Sequence, residues 1–509
     1  MTAGLDARTP CIIGVAQQTW HPGGPPAPEP LDMWARVTTA AAEDTGAASG
    51  KVLRMAGSLA VLYCQSWPYD EPAARLAGSL GIQPPRSHYS GIGGTTPHTL
   101  ITDAASDIAA GRLDLAIVAG GEALDTARRY KKAGERLPWS HLDSVKKPFP
   151  FEEPFHPSEV AHSVFQAWLT FAVFDVARRA HLGTPPDEYR QQLGDLLAPM
   201  TAVAEANPHA WFRTRRDAGD LIEPSPANRM VGYPYTKSMV AIMDVDMAAA
   251  VVVASQETAD SLGVPAERRV YFRGWGYAAD PIYVAEHEPM WGSPAMTAAS
   301  SAALAGAGAG IDDISRFDLY SCFGSSLNFA IDALGLAPDD PRGFTVTGGL
   351  PFAGGPGSGY MLHSTASMVE ALRAEPGALG MVSGVGMHMT KHAFDVYSTT
   401  PPTDLGWTRD GAGSRSPASR PIEASAGGDA TVAAYTVVHA RSGEPEWGLV
   451  ICDLPGGARA YARVEEPGQL AAMEESEWVG NVVRLEAGGD GVNRVVSVVR
   501  EGRSADARA

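Results

Sequence analysis

Two stretches far apart in the chain share one pattern, and a chain built on it is constrained to fold twice in the same way. The segments GIGGTTPHTL (91–100) and FAGGPGSGYMLH (352–363) each set a Gly-Gly turn before a helix-period run. Each helix then leads, through a charged or glycine-containing turn, into an apolar run ending in glycine: AIVAGG at 116–121 and GMVSGVG at 380–386. Gly94 and Gly120 stand 26 residues apart, and Gly355 and Gly384 stand 29 apart. Matched order at nearly matched spacing predicts an internal duplication of an α/β unit.

The rest of the chain fits that expectation. Apolar runs at 12–15, 58–62 and 115–119 alternate with a helix over 96–110, and the alternation resumes over 243–254, 270–277, 317–320, 327–334 and 379–385. This is α/β patterning with buried strands. Residues 123–230 interrupt it with Pro, Arg, Trp and helical stretches, and read as an inserted loop domain. The predicted organisation is a first half over 1–122 and 231–260, a second half over 261–402, a Gly/Ser/Pro-rich linker over 403–428, and a small, mostly β domain over 429–509. At 509 residues the chain is long enough for several domains around a large interior.

Composition narrows the function classes. A formal net charge of -18 argues against a general attraction to nucleic acid or to an anionic membrane. The four cysteines, Cys11, Cys64, Cys322 and Cys452, lack CxxC spacing, which predicts no zinc site and no disulfide framework and fits a reducing cytoplasm. The first residues lack a basic region followed by an apolar one, and no apolar run reaches membrane-spanning length. The most apolar segment, 164–176, carries Gln166 and Asp175 and reads as a buried helix.

The glycines of 354–359 do not spell GxGxxG in register and lack a P-loop lysine. What they offer is a turn at a helix start, where free N–H groups favour an anion or a developing oxyanion. With LDLAIVAGGEAL (113–124), NRMVGYPYTKSM (228–239), DVDMAAAVVVAS (244–255), DLYSCFGSSLNFAIDALGL (318–336) and GGLPFAGGPGSGYMLHS (348–364), the chain resembles the thiolase superfamily. The likeness covers most of residues 8–400 and is greatest to the sterol-carrier-protein-thiolase branch and its thiolase-like type 1 group. It implies a five-layer fold of two βαβαβαββ halves with a loop domain between them, an OB-like C-terminal barrel, and an acyl-CoA thioester as ligand or substrate in a tunnel. Acetyl-CoA acetyltransferase activity and a place in lipid metabolism are implied in the same way.

Working thiolases use a nucleophilic cysteine at the first Gly-rich helix start, a histidine in GHPxG and a second cysteine in CxG. Here those positions fall at Gly94-Thr95, Gly355 and Gly384, so the resemblance brings the site without its reacting groups. Thr95 and Thr96 read as helix caps, with Pro97 in the first turn, or as nucleophiles only if a base adjoins them. His98 reads as a surface or core-edge histidine. The family's HDCF motif becomes Tyr320-Ser321-Cys322-Phe323; Tyr320 reads either as an oxyanion donor or acid/base, or as a buried tyrosine. Tyr320, Cys322, Tyr360 and His363 are the candidate catalytic residues.

Lys237, Gly354, Gly357 and His388 are the candidate CoA contacts, with Arg213, Arg215, Arg216 and Arg229 as further cations for its phosphates or as plain surface charge. His388 and His392 would suit a metal only on a helix; they follow a strand-like run, so no metal is expected. Three functions follow: an acyl-CoA-binding protein without classical turnover, a lyase or aldolase on β-hydroxyacyl-CoA needing no cysteine, or a non-catalytic scaffold. No nucleic-acid partner is expected, and monomer and homodimer stay equally open.

Overall fold

The computed structural model describes residues 6–140, 155–403, 414–415 and 419–500. The first half contributes β1 (Pro10–Thr19), β2 (Ser58–Val61), β3 (Arg86–Tyr89), the helix α1 (Thr96–Ala109) and β4 (Leu115–Ala123). The chain then runs through α2 (Ala167–Leu182), α3 (Pro186–Ala206), β5 (Met230–Gly232) and β6 (Tyr235–Thr236) before β7 (Asp246–Ser255). The second half holds β8 (Val270–Ala279), α4 (Pro294–Ala307), β9 (Ile314–Asp318), α5 (Gly324–Leu334), α6 (Tyr360–Ala374), β10 (Leu379–Gly386) and β11 (Lys391–Ser398).

The duplication is visible in strand order. The first half is ordered β3-β2-β4-β7-β1 and the second, read from its far edge, β9-β10-β11-β8. The β2–β4 pair is parallel, as is β9–β10. The β4–β7 and β7–β1 pairs are antiparallel, as are β10–β11 and β11–β8. The halves join through two pairs only, Cys11↔Tyr271 and Ile12↔Val270. α1 and α6 lie between the sheets, and α4 packs outside the second one, on the face where Gly274 and Gly276 meet its backbone. Covered on both faces, β7 is buried along its whole length, and its AAAVVVA run follows from that. At the far edge β3 has four residues, with Arg86, Ser87 and His88 exposed and Arg86 bound to Asp107 at 2.6 Å; a short, charged edge resists pairing with another strand.

After a short strand β12 (Ser414–Arg415) beside β8, five strands follow: β13 (Gly428–His439), β14 (Pro445–Asp453), β15 (Arg459–Val464), β16 (Val482–Ala487) and β17 (Asn493–Arg500). They pair in the order β13-β14-β15-β17-β16 and back to β13, a closed five-strand barrel. Between β15 and β16 lies α7 (Pro467–Glu475). The strand pair β5–β6 extends the same sheet through Gly232 and Val438, so residues near 230–236 hydrogen-bond with the barrel as well as preceding β7. Of the expected linker 403–428, residues 404–413 and 416–418 lie outside the described residues, as does the expected frayed end 503–509. Among the described residues no helix is long and apolar enough to cross a membrane.

One barrel contact predicts a pH dependence. His439 lies between two acceptors, the Gly443 carbonyl 2.7 Å from Nδ1 and Glu474 Oε1 2.6 Å from Nε2, so both ring nitrogens donate and the ring is an imidazolium. Burial works against that charge, but the Glu474 and Gly443 contacts outweigh it and raise the pKa above its ordinary value. A raised folded pKa contributes stability that is complete below about pH 6.5 and fades as the pH climbs through the folded value. In denaturation curves, the wild type should exceed His439→Gln most at about pH 6, with the gap narrowing by about pH 9.

Candidate functional site

The two Gly-Gly turns meet in space. Gly93 N donates to Ser358 Oγ at 2.9 Å, which ties the start of α1 to the start of α6. Neither helix has a side-chain cap; at the start of α1 Thr96 N donates to Gly93 O at 3.1 Å and Pro97 has no N–H, and at the start of α6 Leu362 N donates to Gly359 O at 3.0 Å, so only part of each first turn faces the site with free amides. The structure thereby corrects the capping role expected of Thr95. At φ -91° and ψ -2° it is helical rather than extended, and its hydroxyl cannot turn back on the first amides; it lies beside Gly386 instead.

Tyr320 follows β9, and its backbone N–H donates to Ser383 Oγ at 2.8 Å. A Cβ added to Gly94 would stand 2.6 Å from the Tyr320 hydroxyl oxygen and inside the Val385 carbonyl oxygen. The phenol thus fills the room that a side chain at the first thiolase position would need. Its ring is 6% exposed and sets edge-on against Tyr360, with centroids 5.4 Å apart. Burial, then the neighbouring Cys322, push its pKa well up, and the described residues give its hydroxyl no hydrogen-bond partner. Tyr320 is therefore a neutral donor with its proton in place. Likewise a Cβ on Gly384 would run into Met361 Sδ, and one on Gly355 would come within 3.2 Å of Leu350 Cδ2.

The other candidates are occupied elsewhere. Burial pushes the Cys322 thiol up to about 12, against a smaller opposing pull from Ser326, so it stays protonated. The Tyr360 hydroxyl is held by Thr347 Oγ1 at 2.7 Å and Asp318 Oδ2 at 3.0 Å. His363 reaches Gln17 of β1, Nδ1 to Oε1 at 3.1 Å, and burial together with nearby His209 lowers it to about 3. His388 bonds the Thr170 hydroxyl at 2.8 Å and is lowered by burial to about 4. His392 lies on β11, not on a helix, and contacts Asp280 at 3.2 Å. Among the described residues no group of three ligands could hold a metal ion. Gly357 approaches Glu122, and Gly354 packs on Met247, Trp211 and Val245.

His98 corrects another expectation. It is buried rather than at the surface, with Nδ1 2.8 Å from Asp395 Oδ1 on β11 and its ring stacked on Tyr277. Two sheet halves over one helix bring that pair together, and no local pattern announces it.

Lys237 lies on a separate cavity of about 720 Å³, together with Arg128, Arg215 and Arg216. Arg128 is neutralised by Asp125 and Asp244. Arg216 bonds only the Ser238 hydroxyl, at 2.7 Å, as far as side-chain partners go. Among the described residues Arg215, Arg216 and Lys237 have no carboxylate partner, in a chain of net charge -18. Trp211, Phe212 and Phe352 supply apolar walls. In the run WFRTRR (211–216) the arginines carry the sequence signal for this cavity; the aromatic members follow no period, and no local pattern marks them.

A structure described as a monomeric SCP2-thiolase like protein type 1 from Mycobacterium smegmatis matches 97% of this chain and 99% of its own length. Its identity is 30% and its TM-score 0.82. The chain belongs to the SCP2-thiolase-like protein type 1 family. The family model for the thiolase-like protein type 1 additional C-terminal domain matches residues 415–490, which carry the barrel strands β13 to β16. At 15% identity, the dimeric peroxisomal thiolase of Saccharomyces cerevisiae (TM-score 0.54) and an Ltp2-ChsH2(DUF35) aldolase (TM-score 0.56) share the fold. Each covers 77% of this chain and 98% of its own. The thiolase-like type 1 chain thus holds a whole thiolase-like fold and adds to it. No curated protein matches it.

Proposed function

We propose that this thiolase-like type 1 protein binds coenzyme A or a CoA thioester in the cavity under Arg215, Arg216 and Lys237, and that it does not run thiolase acyl transfer. The observation that carries the reading is the set of three cations without carboxylate partners beside Trp211 and Phe212, which suits a ligand with phosphates at one end and a flat ring. The absence of turnover rests on Gly94, Gly355 and Gly384, which carry no reacting group, and at Gly94 and Gly384 the side-chain space is taken by Tyr320 and Met361.

The lyase reading needs a group to accept the proton. Tyr320 keeps its own, Tyr360 is bound to Asp318, and His363 is a weak base turned to β1. Tyr320 and the uncapped helix starts remain suited to hold an oxyanion, without a nucleophile to create one. The short charged edge at β3 supports a monomer.

Calorimetry with CoA tests the binding. Arg216→Gln and Lys237→Gln should each weaken it by about 10-fold, as loss of one charge-assisted phosphate contact does, and the wild-type affinity should fall as salt rises. Wild-type affinity retained in both variants would remove the cavity from the function.

A further inference from the structure

We infer that the cavity accepts CoA with a bare thiol or a very short acyl group, because a partition separates its inner end from the Tyr320 centre. This rests on the CoA-binding reading above. Three backbone segments lie side by side there: Trp211 N and Phe212 N donate to Ala353 O and Phe352 O at 3.0 and 2.9 Å, and Gly355 N donates to Ile242 O at 2.8 Å. Behind them, Ala241 N donates to Cys322 O at 2.9 Å and Ile242 N to Leu350 O at 3.3 Å. The segment 240–242 is thus pinned on one side to the chain that carries Tyr320 and on the other to the glycine turn.

The cavity is lined on this wall by Val240, Ala241, Ile242, Pro351 and Phe352, while Gly94, Thr95, Tyr320, Tyr360 and residues 354–358 do not line it. Apolar side chains back the partition. Trp211, Val245 and Met247 form a cluster with Ile242 against it, and Met247 and Trp211 fill the space over Gly354. Beyond it, Met361 and Leu350 close over Gly384 and Gly355. An acyl chain of several carbons attached at the sulfur would have to displace this packing, and overpacking of that kind weakens binding steeply. The ligand class is therefore free CoA or its acetyl thioester, and the residues that set the limit are Ile242 and Phe352.

The test titrates the full chain with CoA, acetyl-CoA and octanoyl-CoA by calorimetry. CoA and acetyl-CoA should bind within about 3-fold of each other, and octanoyl-CoA about 10-fold or more weaker. Ile242→Ala, which thins the partition at the cavity wall, should bring octanoyl-CoA affinity to within about 3-fold of the variant's own CoA affinity. Octanoyl-CoA binding as tightly as CoA in the wild type overturns the partition alone. If CoA itself fails to bind, the cavity reading falls and takes this inference with it. Should the variant not fold, a crystal of the wild type soaked in CoA decides: sulfur on the cavity side of Ile242 supports the partition, and sulfur beside Tyr320 overturns it.

Discussion

Gly94→Cys, which sets a thiol at one of the two residues of the first Gly-rich helix start, is expected to give a protein with no thiolysis of acetoacetyl-CoA and a stability loss of about 2 to 3 kcal/mol. The new Cβ would overlap the Val385 carbonyl oxygen and come within 2.6 Å of the Tyr320 hydroxyl oxygen. A backbone carbonyl in β10 cannot move aside as a flexible side chain can. The thiol would also enter a site whose GHPxG histidine position is Gly355, so nothing adjoins it to take its proton. Urea denaturation and a thiolysis assay on the purified variant measure the two effects. The pair Gly94→Cys, Tyr320→Ala relieves only the phenol contact and leaves a cavity where the buried ring stood, so it should be no more stable than Gly94→Cys and should still lack turnover. Appearance of thiolysis in either variant would show that the fold retains a working base.

The second large effect is expected at Arg179. Its guanidinium is 1% exposed and donates to the Tyr233 hydroxyl at 2.6 Å, the Tyr435 hydroxyl at 2.8 Å and Glu477 at 3.0 Å. The cation lies 5.8 and 5.7 Å from the centroids of the same two rings. Arg179→Ala removes this whole junction between α2 and the barrel and leaves a cavity with the Tyr233 hydroxyl stranded, while Tyr435 keeps its bond to Ser476 O at 3.1 Å; it should cost about 3 kcal/mol. The comparison is Arg484→Ala, whose half-exposed pair with Asp429 at 2.7 Å should be worth less than about 0.5 kcal/mol. Limited trypsin digestion should release the barrel segment of the Arg179 variant by cleavage after Arg415, since Arg420 precedes Pro421, well before the rest of the chain is cut.

That contrast bears on how the barrel relates to the fold it adjoins. Tyr461 donates to Glu159 at 2.7 Å, Asn493 N donates to His162 at 2.9 Å, and Arg459 meets Ala285 O at 3.2 Å. These are buried polar contacts, costly to leave half made. α2 carries the junction inward as well. Four residues before Arg179, Asp175 is fully buried, accepting from Tyr189 at 2.6 Å and from Tyr235 and packing against Gly324 at the start of α5. One helix thus connects the barrel to the chain that follows Tyr320.

Much of this was legible in the sequence because it is local. The Gly-Gly turns, the helix period after them and the apolar runs that end in glycine are short-range patterns, and the mirrored strand order shows that they marked a true duplication. The small, mostly β domain expected over 429–509 folds as the five-strand barrel for the same reason. The missing cysteine and histidine were equally plain, since an absence at a motif position needs no geometry.

What fills those positions was decided only by the tertiary structure. Tyr320 is 226 residues from Gly94, and its phenol reaches the glycine because β9 and α1 approach the site from opposite halves. His98 and Asp395 pair at 2.8 Å for the same reason, which no period in α1 could announce. Capping by Thr95 failed because the turn's backbone angles, set by packing against β10, point its hydroxyl away from the helix start. Residue types and their spacing determined which chemistry this chain lacks, through local propensity and pattern. Which side chains took its place, and where a ligand could still enter, followed from close packing between segments hundreds of residues apart.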